Sequence, residues 1–291
     1  MSFLYFLING ISLGSIYAII ALGYTMVYGI AKMLNFAHGD IIMVGAYMCF
    51  FAVSRYNMPP IIGVILAMLL CMVLGAVIEK LAYKPLREAT SLSVLITAIG
   101  VSYFLQNAAM LLWSSSVKVF PSVIGDGKFE VNGLVISHVT VLTITVCIVT
   151  MLVMTWFTSK TKMGKAMRAC SEDKAAAQLM GINVDYTISI TFIIGSSLAA
   201  VAGVLLCSAY PNLTPTTGSM PGIKAFTAAV FGGIGSIPGA FLGGLLLGII
   251  EIFAKAYIST QISDAIVFAV LIIVLLFKPA GLLGKATREK V

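Results

Sequence analysis

Eight long apolar runs constrain what this 291-residue chain can become. They cover residues 3–28, 41–53, 61–82, 92–113, 139–157, 188–210, 240–257 and 262–277. A helix needs about 20 apolar residues to cross a bilayer core about 30 Å thick. Most of the runs reach or approach that length. No water inside the hydrocarbon pairs with peptide groups, so each run must close its own backbone hydrogen bonds as a helix. The alternating polar and apolar pattern of a transmembrane β-barrel is absent. A ninth stretch, 222–237, is shorter and rich in glycine. Charged residues make up 10% of the chain and apolar ones 60%, whereas a soluble domain carries about a quarter charged residues. The expected fold is an all-α polytopic membrane protein. It has about eight transmembrane helices, or nine with the glycine-rich stretch, and at least one is short or broken.

The net charge of +7 does not point to nucleic acid, because the basic residues sit between the runs. Lys80, Lys84 and Arg87 form one stretch. Lys160, Lys162, Lys165, Arg168 and Lys174 form a second, and Lys278, Lys285, Arg288 and Lys290 form a third. Basic loops stay on the cytoplasmic side, and one arrangement of the runs places all three stretches there. The loop 114–138, with Lys118, Asp126, Lys128 and Glu130, then faces outward, as do the uncharged loop 211–221 and the amino terminus. The first run is too long, and lacks the basic flank, for a cleaved signal peptide. Of the cysteines, Cys49, Cys71, Cys147 and Cys207 fall within apolar runs and Cys170 does not. None form a CxxC, so they read as small buried hydrophobes, with no disulfide or metal site implied. No hydrophilic stretch is long enough to bury a core of its own, so residues 1–291 read as a single membrane domain with one sizeable cytoplasmic loop, 158–185.

Small residues pattern the runs for close packing. Gly235 with Gly239, and Gly244 with Gly248, have the spacing that lets helix backbones approach. Gly232, Gly233, Gly235 and Pro238 also break the helix at membrane depth, which is tolerated only inside protein or along a cavity. The early counterpart of this break is 34–40. Polar residues inside membrane runs are functional candidates. They are Asn9, Asn35, His38, Asp40, Glu79, Asn107 and Glu251. Asn9, Asn35, His38, Asp40 and Glu251, with Gly232, Gly233 and Gly235, are the candidates for lining a path. Glu251 is expected to pair with Lys255 one turn on. His38 and Asp40, at a helix start, suit capping and gating better than a proton relay. Glu79 beside Lys80 marks the membrane edge, and Lys224 is placed at the mouth of the short segment, near a substrate carboxylate. Hydrolytic chemistry finds no support: His38 and His138 lack a nearby nucleophile motif, and metal-ligand spacing is missing. The nearest approach to a phosphate-binding loop, at Gly284-Lys285, has Pro279 for the first glycine and Ala286 for the hydroxyl.

The loop 158–185 carries the most specific pattern. Ser171 reads as a helix N-cap, Glu172 and Asp173 as first-turn acids that suit the helix dipole, and Gly181 as the C-terminal stop. The expected helix, 172–180, sets Ala175, Ala176, Leu179 and Met180 on one face. A helix this short is marginal alone in water and needs a surface to dock on. Ala175-Ala176-Ala177-x-x-x-Gly181 resembles the coupling-helix motif of ABC importer permeases, with Ala175 where that motif has Glu. Leu34-Asn35-Phe36-Ala37-His38-Gly39-Asp40 followed by Gly45-Ala46-Tyr47 is similar to the signature of LivH-type permeases of branched-chain amino acid ABC importers. Segments around Gly10–Gly23, Gly164–Ala169, Phe231–Ala240 and Phe277–Gly284 resemble the same family.

That resemblance implies an ABC importer permease fold in the bacterial cytoplasmic membrane, carrying branched-chain or related apolar amino acids. It implies an external substrate-binding protein, a second permease subunit (homologous or identical) and two cytoplasmic ATPase subunits. Those ATPases consume the ATP, and this chain, not itself an enzyme, binds no cofactor. Arg168, Ser171, Glu172, Ala175, Ala176, Ala177, Leu179 and Gly181 would form the ATPase coupling region. Two alternatives stay open: an ABC permease for urea, an amide, a sugar or a nucleoside, and a self-sufficient ion-coupled transporter using His38, Asp40 and Glu251.

Overall fold

The computed structural model describes residues 2–87, 89–125, 127–131 and 134–284. The tail charges Lys285, Arg288 and Lys290, with Ala286 and the loop residue Asp126, lie outside the described residues. Each apolar run forms a helix. The helices in chain order are α1 (Ser2–Ala31), α2 (His38–Ser54), α3 (Pro60–Ile78), α4 (Ser91–Trp113), α5 (His138–Lys160), α6 (Lys162–Glu172), α7 (Lys174–Leu179), α8 (Val184–Ala209), α9 (Ser219–Gly232), α10 (Ile237–Tyr257) and α11 (Ser263–Phe277), of which α6, α7 and α9 lie between the runs. Six of them, α1, α3, α4, α5, α8 and α10, are long and apolar enough to cross a membrane. The apolar α2 and α11 are shorter, at 17 and 15 residues.

Local chemistry sets the boundaries. Thr90 caps α4 by accepting from the Ser93 amide, and Asn183 caps α8 through the Tyr186 amide. Ser236 caps α10, with Pro238 in its first turn, where the missing N–H costs nothing. Pro60 opens α3 in the same way.

α1 and α8 form the centre. Of the most apolar window of each helix, 78% is buried for α8 and 56% for α1, against 11% for α5. Small residues make this density possible. A Cβ added at Gly248 would lie 2.2 Å from the Gly14 backbone, and one at Gly244 would lie 2.4 Å from the Ala18 backbone. The Gly244/Gly248 spacing is therefore the seam between α10 and α1. Gly45 meets Ala200 in the same manner and joins α2 to α8.

Two short antiparallel pairs decorate one end of the bundle: β1 (Lys118–Val119) with β4 (Asn212–Leu213), and β2 (Lys128–Val131) with β3 (Leu134–Ser137). The basic stretches 80–87 and 160–174 gather at the other end. Lys84 and Arg87 pair with Asp185 at the start of α8. Lys174 reaches the end of α1. Leu283 and Gly284 line the same cavity as Arg168.

Several expectations need correction. The helix predicted over 172–180 is split. Residues 162–172 form an amphipathic helix of their own, α6, and α7 begins only at Lys174. Asp173, extended at φ −153°, is the cap, because its carboxylate accepts from the Ala175 and Ala176 amides. Ser171 is not the N-cap: its hydroxyl donates back to the Arg168 carbonyl inside α6. Glu172 closes α6 and does not open the next helix. His38 and Asp40 do not cap α2 with their side chains. Gly235 does not take part in a packing seam with Gly239. It sits at φ +93° in the turn between α9 and α10, with nothing within 4 Å of its would-be Cβ. That turn lies at the basic end, beside α6, and not midway along the bundle.

Candidate functional site

At the basic end, α7 is held from three sides. Ala177 is buried, Gly181 closes the helix at φ +82°, a backbone angle that glycine adopts without strain, and the Ile182 amide donates to the Ala177 carbonyl. Lys174 Nζ donates to the Ala31 carbonyl at 2.8 Å. That carbonyl belongs to the last turn of α1, where the dipole is negative and a cation is favoured. Partial burial, then the nearby Arg87 and Lys32, hold the Lys174 amine below its ordinary pKa. The outer face of α7 is free: Leu179 is 89% exposed and Met180 82%, beside exposed Ala175 and Ala176. All four residues expected on one face, Ala175, Ala176, Leu179 and Met180, are therefore turned to solvent.

Beside α6 lies a cavity of about 470 Å³. Arg168, Ser171 and Glu172 line it from α6, Thr25 and Gly29 from α1, and Gly235 and Ser236 from the α9–α10 turn. Gly233, at φ +105°, ends α9. The carbonyls left open there accept from the chain's own tail: Leu282 donates to Phe231 and Leu283 to Gly232. Gly232 and Gly233 are therefore packed against protein, while Gly235 borders the cavity.

Asn35, His38 and Asp40 come together where α2 begins, inside the bundle. Asn35 accepts from Tyr83 at 2.9 Å. The His38 ring packs on Tyr24, 4.6 Å between centroids, and its Nε2 has no partner among the described residues. Asp40, 1% exposed, accepts from Gln106 Nε2 at 2.9 Å. The same nitrogen lies 3.3 Å from the hydroxyls of Ser102 and Ser219. Gln106 and Ser219 were not singled out from the sequence. A glutamine one turn after Ser102 in a largely apolar helix was the available signal.

Glu251 pairs with Lys255 at 2.5 Å, as its spacing led one to expect. It also binds Lys224 at 2.9 Å and the Tyr17 hydroxyl at 2.8 Å. Lys224 is engaged by Asp264 at 2.7 Å as well. It is thus a neutralised partner within a cluster joining α1, α9, α10 and α11, and not a free cation at a mouth. Glu79 binds Arg87 and Ser189 where α3 gives way to a π-turn (Glu79–Tyr83), at the basic end. Two candidates stand apart. Asn9 lines a cavity of about 410 Å³ beside Lys128 and the β2–β3 hairpin. Asn107 is exposed and donates to the Tyr103 carbonyl of its own helix.

Long apolar helices around a small-residue core, interrupted helices and buried polar groups have the architecture of a multi-pass membrane permease, and the family matches make it a transport subunit, not an enzyme. Residues 6–275 match the family model described as "Branched-chain amino acid transport system / permease component". The chain is 47% identical to the high-affinity branched-chain amino acid transport system permease protein BraD of Pseudomonas aeruginosa, covering 98% of this chain and 97% of that protein. It is also 47% identical to LivH of Escherichia coli, covering 99% of each. The structure of PsaBC from Streptococcus pneumoniae in complex with Fab aligns with a TM-score of 0.50 at 16% identity, over 94% of this chain and 92% of that one, which shows a shared fold. The chain belongs to the branched-chain amino acid ABC permease family of the bacterial inner membrane.

Proposed function

We propose that this chain works as one half of the membrane passage of an ATP-driven importer for branched-chain or related apolar amino acids. Its partners are a second permease, two ATPase subunits and an external binding protein. Nine helices carry the chain across the bilayer: the six long ones with α2, α11 and the short α9, which runs from the outward-facing β4 to the turn at the basic end. The basic end faces the cytoplasm, and the β pairs face outward. The whole chain is a single membrane unit, with 158–185 as its cytoplasmic loop.

The observation that carries this reading is the geometry of α7. Its Leu179 and Met180 are bare to solvent, while Lys174 and Ala177 fix the same helix to the bundle. An apolar knob on a rigid mount suits a groove on a moving partner. Arg168, Ser171 and Glu172 from α6, with Ala175, Ala176, Ala177, Leu179 and Gly181, make up the contact. Closure of the ATPase pair pushes α7, and Lys174 passes that push to the end of α1. Asn35, His38 and Asp40 lie just beyond, where the chain turns from α1 into α2, and form the gate. Glu251 holds α1, α9 and α10 together around the path.

Reconstitution of the complete transporter tests this. Uptake of leucine should require ATP and the ATPases, and a cysteine at position 179 should crosslink to an ATPase subunit. Uptake by this chain alone under an ion gradient, without ATP, would overturn it in favour of ion coupling. Near-full-length likeness to two permeases named for branched-chain amino acids favours that cargo over urea, sugars or nucleosides.

A further inference from the structure

The acidic residues of the bilayer-crossing helices and their ends divide sharply. Glu79, Asp185, Glu251 and Asp264 each contact a lysine or arginine. Asp40 is as buried as Glu251, each 1% exposed, yet it forms no ion pair among the described residues. A carboxylate without a cation is costly inside a membrane protein. Asp40 is partly relieved by its place in the first turn of α2, at the positive end of that helix, and by the Gln106 amide. Neither is a full counter-charge.

The surroundings of Asp40 are open in a specific way. Gln106 ties α4 to Ser219 at the start of α9, so α2, α4 and α9 meet at this carboxylate. Only glycine separates α2 from α9 here: a Cβ at Gly39 would lie 2.7 Å from the Gly218 carbonyl oxygen, and one at Gly222 would lie 2.8 Å from Gly39 Cα. No side chain stands between the two helices at this point. The outer faces of α4 and α9 beside this junction carry Tyr103, Met220 and Ile223, which are 63%, 45% and 41% exposed. Exposed apolar side chains thus neighbour, along α4 and α9, Gln106, which reaches this acid, and Ser219, which reaches Gln106.

We infer that Asp40 accepts the α-ammonium group of the cargo in transit, in a notch between α4 and α9 where Gln106 holds the carboxylate and Tyr103, Met220 and Ile223 receive the aliphatic side chain. This rests on the amino-acid reading above. A primary ammonium supplies the missing unit charge and three donors. It satisfies Asp40, and it competes with Gln106 for the same oxygen, so the cargo leaves once α9 closes again. The arrangement selects for a primary ammonium group on an apolar body over a neutral amide or sugar.

The test uses the complete transporter, with its second permease, ATPases and binding protein, reconstituted in vesicles and supplied with a diazirine-bearing leucine. Irradiation during turnover should place adducts on Tyr103, Met220 or Ile223. Asp40→Asn keeps the shape and removes the charge. It should lower both uptake and those adducts by at least about 10-fold, the scale of losing a buried charge pair, and Asp40→Glu should restore part of each. Gln106→Lys tethers an ammonium to Asp40. It should block uptake and labelling while leaving the melting temperature equal to or above that of the unaltered protein. This variant keeps the idea testable if Asp40→Asn folds poorly. Adducts confined to other helices, labelling of the notch unchanged in Asp40→Asn, or normal uptake by Gln106→Lys would each overturn the site. Failure of the unaltered transporter to take up the leucine analogue would instead overturn the amino-acid reading, and the ammonium assignment with it.

Discussion

Tyr17 on α1 donates to Oε2 of Glu251 on α10 across 2.8 Å, while the other oxygen of Glu251 receives both Lys224 and Lys255. Two residues 234 positions apart in the chain are thereby joined in the buried middle of the fold. Glu251 is 1% exposed, so its removal leaves two ammonium groups short of charge, with Asp264 the remaining acid. Breaking such a buried pair from one side costs about 3–5 kcal/mol. Glu251→Ala should lower the thermal midpoint in detergent by several degrees. Replacing Glu251 and Lys224 together with methionine should cost less than Glu251→Ala, because no charge is stranded on α9. Equal midpoints for Glu251→Ala and the unaltered protein would show that the cluster contributes nothing to stability.

The seam between α1 and α10 gives a second expectation. Position 248 faces the Gly14 backbone, which does not move aside as a side chain would. Gly248→Leu should force the helices apart and abolish accumulation of a monodisperse protein, beyond the roughly 1–3 kcal/mol of ordinary overpacking. Gly100→Ala is the matched control, since nothing lies within 4 Å of a Cβ there, and it should behave as the unaltered chain. Gel filtration after mild extraction compares the three.

The helices were legible in the sequence because each apolar run must satisfy its own backbone in hydrocarbon. The runs 92–113 and 240–257 match α4 and α10 to within a few residues. The turn into α7 was not. Ser171 and Asp173 are both good caps, and the choice between them is made by tertiary packing: Met167 and Cys170 are buried against the bundle, which extends α6 through Glu172. Lys224 shows a second limit. Nothing in its own neighbourhood predicts Glu251 or Asp264, which come from later helices. The same holds for Asp40, whose lack of a cation is visible only once every neighbouring helix is in place. The pairing of Glu251 with Lys255 was readable because it is local, one turn along a single helix.

Lys174 should act as a strut between the cytoplasmic helices and α1. Its bond to the Ala31 carbonyl joins a cation to a helix C-terminus, an interaction worth about 0.3–1 kcal/mol, too little to decide folding. Lys174→Met should therefore leave the thermal midpoint within a few degrees. It should lower leucine uptake per ATP hydrolysed in the reconstituted transporter, because α7 then moves without drawing α1. Lys174→Arg keeps the charge and donors and should recover part of the ratio. An unchanged ratio in Lys174→Met would place transmission elsewhere, for example through the contacts of α6 with α8.

The exposed face of α7 allows docking to be separated from folding. Ala176 and Leu179 are solvent-exposed, so Ala176→Glu and Leu179→Glu strand no buried charge and should leave the permease itself stable. Each puts an acid where an apolar groove on the ATPase is expected, and each should reduce recovery of ATPase subunits with the purified permease together with ATP-driven uptake. Gly181 acts differently. At φ +82° a β-branched side chain is strained, by about 1–2 kcal/mol. Gly181→Val should loosen the end of α7 and weaken ATPase recovery through misplacement of Leu179 and Met180, while Gly181→Asn, which tolerates this backbone angle, should retain most of it. Full recovery and uptake in Ala176→Glu and Leu179→Glu would show that the ATPases grip the chain somewhere other than α7.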